Sequence, residues 1–87
     1  MADDIRDLSN KGLSILTFAA YHRLLSGERV SSVIRKDGAG HEADPEGVAE
    51  LERRGLASVT GDDIDLSEAA EEAVETLVRA LRREAGR

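Results

Sequence analysis

Residues 51–81 read LERRGLASVTGDDIDLSEAAEEAVETLVRAL, and no other run of the chain limits the fold as tightly. Gly55 follows the turn at 51–54, where a glycine takes the left-handed conformation that closes a helix. Val59 on one side, and Ile64 with Leu66 on the other, place β-branched and apolar residues around Thr60, Gly61, Asp62 and Asp63. That pattern reads as two short strands joined by a tight acidic hairpin tip. Asp65 or Ser67 then stands where a helix N-cap is needed, ahead of a segment with acids in its first half. The expected order is helix end, strand, turn, strand, capped helix.

The rest of the chain is read outward from this block. Residues 9–26 predict a helix that Ser9 or Asn10 caps and Gly27 ends. Its apolar residues, Leu13, Ile15, Leu16, Phe18, Ala19, Ala20, Tyr21, Leu24 and Leu25, cover most of its circumference. Such a helix is buried on several sides, either as the central core helix or as part of a subunit interface. In residues 28–37 the spacing of Val30, Val33 and Ile34 is helical (i, i+3, i+4), while their β-branching favours a strand. The residues alone leave both readings open. Residues 38–45 read as a turn or loop. Asp44 as N-cap and Pro45 at the first helical position then start a helix over about 45–54, with Val48 and Leu51 facing inward. The last helix is expected over 67–84, with a stripe of Ala70, Ala73, Val74, Leu77 and Leu81 widened by Val78. Its acids lie near the N-terminus and Arg79, Arg82 and Arg83 near the C-terminus, which complements the helix dipole. Glu75 and Arg79 have the spacing of an i,i+4 pair.

An 87-residue chain makes one small domain. The expected organisation is a flexible or short helical arm over 1–8, a single domain over 9–84 and a tail at 85–87. A monomer of this size leaves much apolar surface uncovered unless subunits share a core. Phe18 and Tyr21 are the only aromatic rings of this class, so Leu, Val, Ile and Ala must fill the interior. Without cysteine there is no disulfide, thiolate catalysis or cysteine-based zinc site. The acidic start Met1-Ala2-Asp3-Asp4 lacks the basic, then apolar, pattern of a secretory signal. No run approaches the ~20 apolar residues of a membrane span. A cytoplasmic protein without membrane contact is expected.

The sequence gives catalysis little to work with. His22 and His41 lie far apart, and two histidines at metal-ligand spacing are absent. His41 beside Glu42 and Asp44 reads as a polar loop with a capping residue. The acids near Asp37-Gly38 do not alternate as a calcium loop requires. Gly38-Ala39-Gly40 lacks the third glycine and the Lys-Ser/Thr of a phosphate cradle. No serine sits in a glycine-flanked nucleophile turn. The expectation is a protein that is not an enzyme, with no catalytic residues, cofactor or metal.

The block at 51–81, LERRGL with its turn and the following DLSEAA helix start, resembles the winged-helix proteins, especially small regulators of the MarR and PadR kind. The resemblance implies a mainly α fold with a small β-hairpin: three helices, a hairpin wing and a C-terminal helix, with residues 28–37 as the second helix. It also implies DNA binding, with the helix that ends at LERRGL in the major groove and the hairpin at a neighbouring groove. Carried onto this chain, the groove-facing positions are Asp44, Glu46, Ala49, Glu50 and Arg53, and the wing tip is Gly61, Asp62 and Asp63. Arg29, Arg35, Lys36, Arg53 and Arg54 would then carry the phosphate contacts.

Charge runs against that implication. The chain carries −6 overall, whereas DNA binding rests on cations that neutralise phosphates. An aspartate ~4 Å from a phosphate is repelled by about 1 kcal/mol even in bulk water. An acidic recognition helix and wing therefore disfavour DNA as partner. The first expectation is a non-enzymatic regulatory module that works by protein–protein contact or homodimerisation; a winged-helix DNA-binding regulator is the alternative. The expected protein interface combines Leu13, Phe18, Tyr21 and Leu25 with Leu77, Val78 and Leu81.

Overall fold

The computed structural model describes residues 5–36 and 42–86. Three helices and three strands follow one another as α1 (Asn10–Ser26), β1 (Ser32–Ile34), α2 (Pro45–Arg53), β2 (Ala57–Thr60), β3 (Asp63–Leu66) and α3 (Glu68–Glu84). The fold is mainly helical with a small antiparallel β-sheet.

Each helix starts where a short polar side chain can accept an otherwise unpaired amide. The Ser9 hydroxyl accepts from the Gly12 N–H, Asp44 from the N–H groups of Glu46 and Gly47, and Ser67 from the N–H of Ala70. Pro45 occupies the first turn of α2, where no N–H is needed. Gly27, at φ 75°, ends α1 by donating its N–H to the Arg23 carbonyl. Of the two candidate caps of α3, Ser67 serves; the carboxylate of Asp65 instead accepts the Thr60 hydroxyl across the hairpin at 2.9 Å.

The predicted hairpin is present, with β2 and β3 paired from Ala57↔Leu66 to Thr60↔Asp63. The sheet has a third strand that the sequence reading placed in a helix. Over the described part of 28–37 there is no helix; Ser32–Ile34 is a strand that pairs with β3 through Ser32↔Asp65, Val33↔Ile64 and Ile34↔Asp63. The β-branched character of Val33 and Ile34 prevails over their helical spacing because β3 offers a partner on its free edge. Val33 turns inward while Ser32 and Ile34 face out, the alternation of a half-buried strand. β3 is thereby the central strand, in the order β1-β3-β2.

The core lies between the sheet and the helices. Leu51, Ile64, Val74 and Val78 are its largest fully enclosed side chains, joined by Ile15 and Leu16 from α1 and by Val33, Val48 and Leu56. The N-terminal arm contributes as well, since Leu8 is buried and Ile5 packs against the cluster. Three ion-pair contacts tie α1 and its following loop to α3: Arg23 to Glu75 at 2.7 Å, and Arg29 to Glu71 and Glu72, both at 2.8 Å. Glu75 therefore meets Arg23 on a neighbouring element. Arg79, its expected i,i+4 partner, donates to the Thr76 hydroxyl. No described helix is long and apolar enough to cross a membrane.

Candidate functional site

α1 buries Gly12, Ile15, Leu16, Ala19 and Ala20, a stripe with the i, i+3, i+4, i+7 spacing of one helix face. The opposite face carries Leu13, Tyr21, Leu24 and Leu25, all exposed, with Leu25 at 69% and Tyr21 at 55%. Residues 12–22 contain no Asp, Glu, Lys or Arg, in a chain that is 34% charged. The outer face is thus without a charged side chain over about three turns, with exposed Ser14, Thr17 and His22 among its apolar residues.

Beside it runs a groove of about 470 Å³ between α1, β1 and the approach to α2. Ser14, Thr17, Phe18 and Tyr21 form the α1 wall, Val33 and Ile34 the strand wall, and Glu42, Ala43 and Asp44 the far side. The hydroxyls of Ser14 and Thr17 donate to the Lys11 and Leu13 carbonyls of their own helix, so they present lone pairs to the groove and no free donor. The rings of Phe18 and Tyr21 stack 6.3 Å apart, and His22 meets the Phe18 ring edge-on at 4.5 Å. This cluster fixes the ring that forms the groove's rim.

The seven residues expected at a protein interface do not share one environment. Leu13, Tyr21 and Leu25 are exposed on the outer face of α1, and Phe18 is half-buried at its edge. Leu77 packs against the core, and Val78, at 1% exposure, belongs to it. Val78 is a correction: the turn it widens points inward, so it offers nothing to a partner. Leu81 stays on the core-facing stripe of α3 but is 46% exposed, near the helix end. Leu24 and Ile34, both exposed, were missed. The phase of α1 relative to Gly12, Ile15, Leu16 and Ala19 identifies Leu24; Ile34 required the strand assignment.

The five candidate phosphate-binding cations are divided. Arg29 is held by Glu71 and Glu72 at the start of α3, and these carboxylates raise its pKa. Arg35 lies 3.7 Å from Asp62 at the hairpin tip, and with Lys36 it lines a depression shared with Glu42, Pro45, Val48 and Asp62. Arg53 and Arg54 stand at the other end of α2, roughly 12 Å from Pro45 at 1.5 Å per residue. Arg54 donates to the Arg6 carbonyl at 2.8 Å.

The outward side of α2 is similarly engaged within the chain. Glu46 is paired with Lys11, whose pKa it raises. Both carboxylate oxygens of Glu50 are taken by Ser9, which lowers the pKa of Glu50. Ala49 and Arg53 are exposed, and so are Gly61, Asp62 and Asp63 at the hairpin tip. His41, considered as a metal ligand with Glu42 and Asp44, lies outside the described residues, as do Gly38, Ala39 and Gly40. Among the described residues no three His, Asp or Glu side chains converge as a metal site. Comparison of the chain with family models, curated proteins and solved structures gives no match.

Proposed function

We propose that the protein is a cytoplasmic, non-enzymatic regulatory module of winged-helix type that acts by protein contact through the outer face of α1. The observation that carries this reading is that uncharged apolar face, exposed opposite the core and flanked by a groove. Scattered exposed hydrophobic residues need no explanation, but a contiguous set on one helix marks an interaction surface. The α2–hairpin–α3 succession supports the winged-helix part of the reading.

The alternative, a DNA-binding regulator, draws support from one feature: Arg35 and Lys36 share a depression beside the hairpin tip. Against it, Arg29 and Arg35 face acids of their own chain, and Asp62 and Glu46 occupy positions where phosphate would be approached. Anisotropy of a labelled duplex of random sequence, begun at low salt and titrated upward, separates the two. No saturable binding at low salt is expected. A complex whose affinity falls steeply with salt is the signature of phosphate contacts and would replace protein contact as the leading function.

A further inference from the structure

We infer that residues 5–9 form a strap along α2 that lifts as one unit while the rest of the fold stays closed, with its hinge where the start of α1 meets Gly47. The inference concerns the α2 side of the molecule, and it goes beyond the protein-contact reading without depending on it.

Three contacts set the register of the strap. Arg54 donates to the Arg6 carbonyl at 2.8 Å, Glu50 accepts the hydroxyl and the N–H of Ser9 at 2.6 and 3.0 Å, and Glu46 is paired with Lys11. Glu46, Glu50 and Arg54 are spaced i, i+4 and i+8, which puts them on one stripe of a helix. Residues 6–11 therefore run antiparallel to α2 along that stripe. While the strap is closed, it takes both carboxylate oxygens of Glu50 and a guanidinium N–H of Arg54. Lifting it returns these groups to the surface of α2.

What holds the strap differs from what holds the core. Arg6, Asp7 and Ser9 are exposed, and hydrogen bonds made at the surface compete with water for a small net gain. Leu8 is the one buried side chain of the strap, with Ile5 packed at the margin of the core. Leu8 lies between the two clasps, so it leaves its place only when the Arg6 carbonyl and Ser9 let go as well. That coupling makes residues 5–9 a cooperative unit, where an unclasped end would fray residue by residue. Asp7 bends the strap at φ 64°, a left-handed conformation that costs a residue with a side chain and that opening relieves. Beyond Ser9 the hold is of another kind. Leu13 donates to the Ser9 carbonyl at 2.9 Å as the helix ladder begins. Gly47 approaches the Lys11 backbone so closely that an added Cβ would stand 2.5 Å from its carbonyl oxygen. Opening therefore stops at the start of α1.

The test uses the whole chain, which contains no cysteine, so a single introduced thiol reports one position. Leu8→Cys places it under the strap and Val74→Cys in the core. With reagent dilute enough that labelling follows the open population, Leu8→Cys should react at least about tenfold faster than Val74→Cys. Adding Glu50→Gln should speed the labelling of Leu8→Cys at least about threefold, through the weakened charge-assisted bonds to Ser9. Val33 lines the groove with Ala43 and Asp44, at the other end of α2 from Arg54. Adding Val33→Ala should therefore speed Val74→Cys and leave Leu8→Cys unchanged, because the lifted strap leaves Val33 buried. Circular dichroism checks that each variant keeps the fold. Hydrogen exchange of the unsubstituted chain makes the same comparison: the Leu8 and Ser9 amides should exchange at least about tenfold faster than those of Ala20 and Val74. Equal exchange at these four amides overturns the inference. So does an equal acceleration of both thiols by Val33→Ala, which would mean that the arm leaves only with the whole fold. Fast labelling of Leu8→Cys that ignores Glu50→Gln would mark a frayed end and overturns the clasped unit.

Discussion

Glu50, on α2, accepts both hydrogen-bonding groups of Ser9: the hydroxyl at 2.6 Å on Oε1 and the backbone N–H at 3.0 Å on Oε2. Ser9 is at the same time the N-cap of α1, so one carboxylate of α2 fixes the starting point of a different helix. These bonds, the side-chain one first, hold the Glu50 carboxyl below its usual value of 4.5; Arg23 does the same for Glu75. A carboxyl whose folded pKa is depressed adds stability above its unfolded pKa, and that stability is lost as pH falls through the folded value. Urea unfolding at a series of pH values should therefore show stability declining below about 4.5. Glu50→Gln should shrink the part of that decline due to Glu50. An unchanged acid limb would separate the pair from stability.

Gly47 lies against the start of α1. A Cβ added there would stand 2.5 Å from the Lys11 carbonyl oxygen and 2.7 Å from its carbon, and backbone cannot yield as a side chain can. Gly47→Ala should cost about 1–3 kcal/mol despite alanine's better helix propensity. Gly12→Ala meets the flexible end of Glu50 instead and should cost less. Chemical denaturation of the two variants side by side checks the order.

The ion pairs between α1 and α3 differ in value. Arg23 and Glu75 are 16% and 17% exposed, while Arg29 is 44% exposed. Arg23→Gln should lose about 1–2 kcal/mol through the weakened charge-assisted bond. Arg29→Gln should lose less than about 1 kcal/mol, and less still in high salt. A double-mutant cycle of each arginine with its glutamate measures the coupling.

Leu51 and Leu25 test the division between interior and outer surface. Leu51 is fully buried beside Ile64 and Val74, so Leu51→Ala should cost about 2–5 kcal/mol, a large share of the stability of a domain this small. At protein concentrations too low for self-association, Leu25→Ala should stay within about 0.5 kcal/mol of the wild type. Thermal melts of the two variants read the contrast directly.

The elements legible in the sequence are those set by neighbouring residues. Ser9, Gly27, Asp44-Pro45 and Ser67 mark helix ends because a cap acts within a few residues of itself. Gly61, at φ 60°, turns the hairpin for the same local reason. The local signals over β1 leave helix and strand open because its partner β3 lies about thirty residues away, and the winged-helix resemblance made it a helix. The Arg23–Glu75 pair was invisible on the same grounds: Arg79 is closer in sequence, but the packing of α3 on α1 turns Glu75 toward Arg23. Leu13, Tyr21 and Leu25 were legible as candidate surface residues. The groove beside them was not, since one wall is the strand that sequence reasoning did not find.

The central place of β3 has a consequence for how the molecule comes into being. Val33 has no strand to lie against until Ile64 has been made, and both edges of the sheet wait for the same four residues. Any fragment that stops before residue 63 leaves β1 and β2 without a template and Leu51 in water. Acquisition of structure thereby waits for residues 63–66, and a product that stops short of them should be prey to proteases rather than a half-working domain.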